Sequence, residues 1–346
     1  MSSRRIDARG HGLTFAAITI CLSIVVFLAY LANTSVGAFQ PASLSRVLEG
    51  TAIRPYTYRI LVPALARFLA PVITREIIDW CANSTSAVRV TFDRLSDGGY
   101  EREAIVVLAI MLVSLAGFAF AERTLLTELG YGEREQFVWP LAILLMVLPV
   151  TLFTGFYYDF PQLLLVTINL SLMYRRNWPG YLFFLGVANL NKETSIFLVA
   201  IFIVHYWKRL PRREFLEVLA WQAVVCGVVR GTIHFWFGSN PGAAIFFTLP
   251  DQIDLFRAHP LGLVFTVLYL SLATYLVLRR WAQKNEFLRS GSILAVIILG
   301  LFFTSGYPLE FRVFLDALPI LGIMFFSPPV QQGPPEPIID KPSPRA

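Results

Sequence analysis

The chain is predicted to fold as an all-α, polytopic transmembrane bundle, and three observations point there. Hydrophobic residues make up 56% of the 346 positions and charged residues only 15%, against roughly 25% charged in soluble domains. Apolar runs recur near the length that a helix needs to cross a bilayer core of about 30 Å, roughly 20 residues, because backbone polar groups cannot be left facing lipid. Clusters of Lys and Arg fall in alternate loops between those runs. The net charge of +6 therefore reads as a topology signal rather than as a nucleic-acid surface.

The first run, 13–32, follows Arg4, Arg5 and Arg9. It is longer than a usual signal-peptide core and lacks a small-x-small cleavage pattern, so it is expected to remain as a signal anchor. Residues 33–102 form a large extracytoplasmic loop. Inside it, 58–73 is apolar with Arg59, Arg67 and Arg75 returning at near-helical register, an interfacial or short re-entrant helix whose regularity Pro63 and Pro71 limit. Asp97-Gly98-Gly99 marks a turn near its end. Cys81 stands alone in this segment while Cys21 and Cys226 fall in apolar runs, so no disulfide framework is expected.

Further spans are expected at 104–120, 138–154, 160–174, 215–237, 261–278, 292–304 and 311–326, with an acidic loop at 122–136. With the first run this makes about eight full crossings. Arg175 and Arg176, then Lys208, Arg209, Arg212 and Arg213, then Arg279, Arg280, Lys284 and Arg289 mark cytoplasmic loops, which puts both termini in the cytoplasm. Basic clusters flank both ends of the run at 180–207, so one crossing would leave one cluster outside. A broken hairpin with Asn191-Lys192-Glu193-Thr194 at its turn satisfies both flanks; a single tilted span with a snorkelling lysine is the alternative. The membrane domain so defined is 1–326, and the Pro-rich residues 327–346 read as a disordered cytoplasmic tail.

Candidate functional residues are ionisable groups at membrane depth, which are costly and mark substrate or ion paths. Asp159, in Gly155-Phe-Tyr-Tyr-Asp-Phe-Pro161, is placed to act as a base or, with Pro161 two residues on, to start a helix. Lys192 can neutralise an anion and Glu193 can position an arginine or a sugar hydroxyl; a structural ion pair is the plainer reading. Glu310 and Arg312 are two residues apart, do not share a helix face and are expected to have different partners. Arg312 suits a bidentate phosphate contact and serves equally as an interface anchor. Arg54 and Arg59 are further outer cations beside aromatics. Arg230 and His234 share a face one turn apart, where packing or a structural hydrogen bond is expected. The four histidines show no metal-ligand spacing, and no phosphate-binding glycine loop or nucleophile elbow is present. No cofactor is required, a divalent cation being the one left open.

Over most of its length this layout resembles the GT-C superfamily of membrane glycosyltransferases. The resemblance is carried by the large first outer loop with its amphipathic helix, Tyr157-Tyr-Asp159-Phe-Pro, Asn191-Lys192-Glu193-Thr194, and Glu310-Phe-Arg312 followed by an apolar run with Pro319. In that family a catalytic acid usually follows the first span; residues 33–47 contain none, and Glu49 is the first candidate. The resemblance implies transfer of a sugar from a polyprenyl-phosphate carrier to a glycan or lipid acceptor on the outer face of a bacterial inner (plasma) membrane, in envelope polysaccharide or glycolipid synthesis. Asp159 or Glu49 would take the acceptor proton, and Arg59, Lys192 and Arg312 would stabilise the departing phosphate. A carrier or flippase for lipid-linked or anionic solutes, or a noncatalytic assembly partner, would use the same cations without a base.

Overall fold

Helices follow the apolar runs in the computed structural model, which describes residues 2–326 except 85, 153, 244, 246 and 307–309. The expected tail at 327–346 lies outside the described residues. Helix α1 (Ser2–Asn33) is followed by four short helices, α2 (Leu44–Leu48), α3 (Leu61–Leu69), α4 (Arg75–Ala82) and α5 (Ser86–Leu95). Then come α6 (Glu101–Glu128), α7 (Glu133–Val150), α8 (Asp159–Tyr174), α9 (Trp178–Asn191), α10 (Leu198–Tyr206), α11 (Arg212–Phe237), α12 (Leu249–Ala258), α13 (Pro260–Leu278), α14 (Glu286–Gly291), α15 (Ile293–Ser305) and α16 (Leu318–Phe326). No strand occurs among the described residues.

Five helical stretches are long and apolar enough to cross a membrane: His11–Asn33, Glu101–Glu128, Arg212–Phe237, Pro260–Leu278 and Glu286–Ser305. Only 6% of the apolar window in Pro260–Leu278 is buried, so this helix turns Leu261, Leu268 and Leu272 outward. A surface of that kind is compatible with lipid and not with water. The chain is accordingly an integral membrane protein.

Two expectations about the spans are corrected. Helix α6 continues through Glu128, and the acidic loop expected at 122–136 shrinks to a turn around Gly130, whose φ is 81°. Leu125 and Leu126 are fully buried and carry the helix inward, while Arg175 pairs with Glu128 at the end of the helix. The run at 311–326 is not one regular helix either. Phe311–Ala317 winds as a 3-10 helix and α16 starts only at Leu318. Pro319 lacks an N–H and its ring would clash with the carbonyl four residues back, so an α-helix begins there rather than passing through.

Ring contacts fix the direction of the bundle. Trp178, at the start of α9, lies 5.6 Å from Phe202 and 5.4 Å from Tyr206 near the end of α10, so the two helices fold back on each other as a hairpin. Asn177 caps the start by accepting from the Gly180 N–H, and Lys192, with extended backbone (φ −156°, ψ 138°), breaks the helix at the tip. Tyr30 of α1 meets Phe160 at the start of α8, whereas Trp139 at the start of α7 meets Phe326 at the end of α16. Close approach needs glycine at two points: a Cβ on Gly155 would fall 2.1 Å from the Tyr30 hydroxyl, and one on Gly322 would fall 2.8 Å from Ile143. The start of α8, the hairpin tip and the start of the 311–317 helix thus meet at one end of the molecule.

Candidate functional site

At that end the side chains enclose a cavity of about 420 Å³. Its wall carries four cations, Arg59, Lys192, Arg230 and Arg312, and two carboxylates, Glu193 and Glu310. Tyr56, Tyr58, Phe197, Ile298, Leu301 and Val313 make up much of the remainder. The cavity thus sets a cluster of ionisable groups, paired and unpaired among the described residues, beside apolar side chains.

Each cation is delivered by a different element. Arg59 closes the short 3-10 turn Tyr56–Tyr58 and is 7% exposed. Its Nε donates to Glu193 Oε2 at 3.2 Å, its two terminal nitrogens donate to Glu193 Oε1 and to the Tyr158 hydroxyl, and its guanidinium lies 4.4 Å from the Tyr158 ring centre. Lys192 reaches Asp316 Oδ1 at 3.1 Å from the hairpin tip, and the Thr194 hydroxyl donates to the other oxygen of the same carboxylate. Arg312 donates to Asp159 Oδ1 at 3.3 Å and to Glu310, and lies 4.3 Å from the centre of the Phe156 ring.

The hairpin tip is pinned by polar side chains on its concealed face. Asn191 Nδ2 donates to the Tyr158 carbonyl at 3.0 Å and to Gln162 Oε1 at 3.1 Å, while Gln162 Nε2 donates to Ser195 Oγ at 2.8 Å. These bonds satisfy the Asn191 and Gln162 amide nitrogens, although Asn191 Oδ1 has no partner among the described residues, and they hold irregular backbone inside a membrane protein. On the other flank, residues 50–59 are stitched to the end of α11. Arg54 donates to the Gly238 carbonyl at 3.0 Å, Asn240 donates to the carbonyls of Gly50 and Ala52, and the Tyr58 hydroxyl meets His234 Nδ1 at 3.4 Å. That seam brings Arg59 and Arg230 to one wall.

The sequence-derived candidates divide accordingly. Arg59, Lys192, Glu193, Glu310 and Arg312 meet on the cavity. Asp159 stands behind the wall, 1% exposed: Oδ1 takes Arg312 and Oδ2 accepts the Phe156 N–H at 2.8 Å, so both oxygens are engaged. Glu49 is exposed at the end of α2, where it accepts from the Tyr100 hydroxyl at 3.3 Å, and Arg54 serves the seam; neither lines the cavity. Glu310 and Arg312, expected to have separate partners, are paired. Glu310 precedes the helix with non-helical backbone (φ −81°, ψ 57°), so the helical argument against an i, i+2 contact does not apply.

Two site residues escaped sequence reasoning. Asp316 lies within an apolar run and is 2% exposed; a lone acid in such a run was the available signal. Arg230 was expected to be packed or hydrogen-bonded like His234. Its Nε and both terminal nitrogens are instead inaccessible and without a hydrogen-bond partner among the described residues. Removing an ion from water costs several kcal/mol even after relaxation, a cost that close partners offset for the other three cations and not for this one.

A second cavity, of about 400 Å³, is lined by α13, α15 and α16, including Leu270, Ala273, Ala295, Leu299 and Leu321, and carries no charged residue. It shares α15 with the first: Ile298 and Leu301 belong to one wall, Ala295 and Leu299 to the other. Among the described residues, no three His, Cys, Asp or Glu side chains gather as a metal site. Comparison with known proteins finds no matching family model, no matching curated protein and no matching solved structure.

Proposed function

We propose that this chain is a membrane glycosyltransferase that moves a sugar from a polyprenyl-phosphate carrier to a glycan or lipid acceptor on the extracytoplasmic face of a bacterial inner membrane. The observation that carries the reading is the charge-lined cavity beside an uncharged, apolar one along the same helix. The first suits a phosphate and sugar, the second an isoprenoid chain. In this reading the chain crosses the membrane about eight times, with α9 and α10 as a hairpin entering and leaving on the cytoplasmic side.

The chemistry is a direct displacement at the anomeric carbon. The acceptor oxygen forms the new bond as its proton passes to a carboxylate, and the bond to the phosphate oxygen breaks with its electrons going to the phosphate. Cations already in place stabilise that charge without reorganising. Of the two carboxylates on the wall, Glu193 is clamped by two N–H groups of Arg59. Glu310 is paired too, but it shares Arg312 with Asp159, which positions that arginine from behind; we assign the base to Glu310.

The test is sugar transfer by purified protein in vesicles, using labelled polyprenyl-phosphate donors and extracted envelope acceptors. Transfer is expected, and Glu310→Gln should lower turnover by about 10²–10⁴-fold while donor binding persists. Lipid moving across the bilayer with no transfer to any acceptor would overturn the enzyme in favour of a carrier.

A further inference from the structure

We infer that Arg230 anchors a singly charged phosphodiester at the Arg59 end of the cavity. The naming of a donor class rests on the transferase reading above, whereas the anion subsite follows from the charges alone.

Charge is unevenly shared around the wall. Arg59 and Arg230 have one carboxylate between them, Glu193, which acts on Arg230 but whose oxygens Arg59 already holds. That end carries one positive charge in excess. Lys192 and Asp316 cancel. Arg312 is divided between Asp159 and Glu310, so its end carries one negative charge in excess. An anion is drawn to Arg230 and Arg59 and repelled from the Arg312 end. The sequence pattern had spread the phosphate contacts over Arg59, Lys192 and Arg312; the charge balance keeps Arg59 and adds Arg230.

A structural arginine finds carbonyls or carboxylates, and a snorkelling one puts its nitrogens in water. Arg230 does neither: all three nitrogens are inaccessible and unpartnered among the described residues, on a side chain that lines the cavity. A guanidinium presents a planar fork that matches the oxygens of a phosphate. The single excess charge is met by a phosphodiester, which carries one negative charge. A diphosphate-linked lipid brings a second that this end does not balance. Ile245, Ile298 and Leu301 on the same wall, and the apolar cavity beyond α15, take the hydrocarbon.

Two kinds of lipid carry such a group, a sugar phosphodiester on a polyprenyl chain and the headgroup of a phospholipid such as phosphatidylglycerol. Binding to full-length protein in detergent, followed by native mass spectrometry, distinguishes them. The probes are a polyprenyl-monophosphate sugar, the matching polyprenyl-diphosphate sugar and phosphatidylglycerol. The wild-type chain is expected to prefer the monophosphate to the diphosphate form, and Arg230→Gln to weaken that binding roughly tenfold or more. Thermal stability of the variant should match or exceed wild type, since an unpaired buried cation has been removed. Should Arg230→Gln not accumulate, Arg230→Lys, which keeps the charge and loses the fork, is read in the same way. Unchanged affinity in a folded variant, or a wild-type preference for the diphosphate, overturns the subsite. Phosphatidylglycerol binding as well as the sugar lipid, with loss in the variant, upholds the subsite and removes its assignment to a sugar donor, while the transferase reading stands or falls on the transfer assay.

Discussion

Three of the four cations on the cavity wall are held by carboxylates supplied from elsewhere in the chain, and Asp159 shows what such a partner does. Its oxygens go to Arg312 and to the Phe156 N–H, so it orients a cation rather than reaching a substrate. Asp159→Asn should therefore destabilise the fold by about 3 kcal/mol, as removal of one partner from a buried pair does; Glu310, which also holds Arg312, keeps the loss near the lower end. Chaotrope unfolding in detergent measures it. The rate should fall because Arg312 loses its orientation, while donor affinity holds, since the phosphate is drawn to Arg59 and Arg230 at the other end of the cavity. A loss confined to turnover, with stability and affinity intact, would return Asp159 to the role of base.

Between elements, a buried lysine does comparable work at the opposite end of the bundle. Lys284, 5% exposed, donates to the Leu276 carbonyl at 3.0 Å near the end of α13 and to the Met324 carbonyl at 2.6 Å near the end of α16. Terminal helix carbonyls lack intrahelical partners and carry the negative end of the dipole, so one ammonium ties two helices that otherwise touch lightly. Burial, with Arg279 nearby, pulls its pKa from 10.5 down to about 8. Between those values the unfolded chain binds the proton more than the folded one, so this group makes stability rise with pH across that window. Melting temperatures at pH 7.5, 9 and 10.5 in detergent check the sign: wild type should gain relative to Lys284→Met as pH rises. A constant difference between the two would show that Lys284 does not titrate there.

Across the whole molecule the two ends differ in kind. One holds the cavity and its ions; the other holds the Arg175–Glu128 and Arg209–Glu286 pairs and Lys284. Side-specific labelling of single cysteines, in a chain whose Cys21, Cys81 and Cys226 have been replaced, tests that polarity. Asn83→Cys and Ile196→Cys should react from one side of the membrane, and Arg175→Cys and Arg212→Cys from the other. If positions 175 and 212 label from opposite sides, α9 and α10 form a single crossing and the hairpin falls.

The sequence by itself determined the all-helical membrane class, the break at Lys192 and the basic loops around it, because span length, helix-breaking polar runs and charge clusters are local properties of the chain. It also marked Arg59, Lys192, Glu193, Glu310 and Arg312, since an ion at membrane depth stands out wherever it falls. Partnership was left to the tertiary structure. Asp316 meets Lys192, Arg59 meets Glu193, and Arg312 meets Asp159 across more than a hundred residues of chain, and no spacing rule reaches so far. Whether Asp159 touches substrate or another side chain, and whether Arg230 is satisfied or waiting, depends on which groups the packed helices bring within about 3 Å, a distance that only the folded bundle sets.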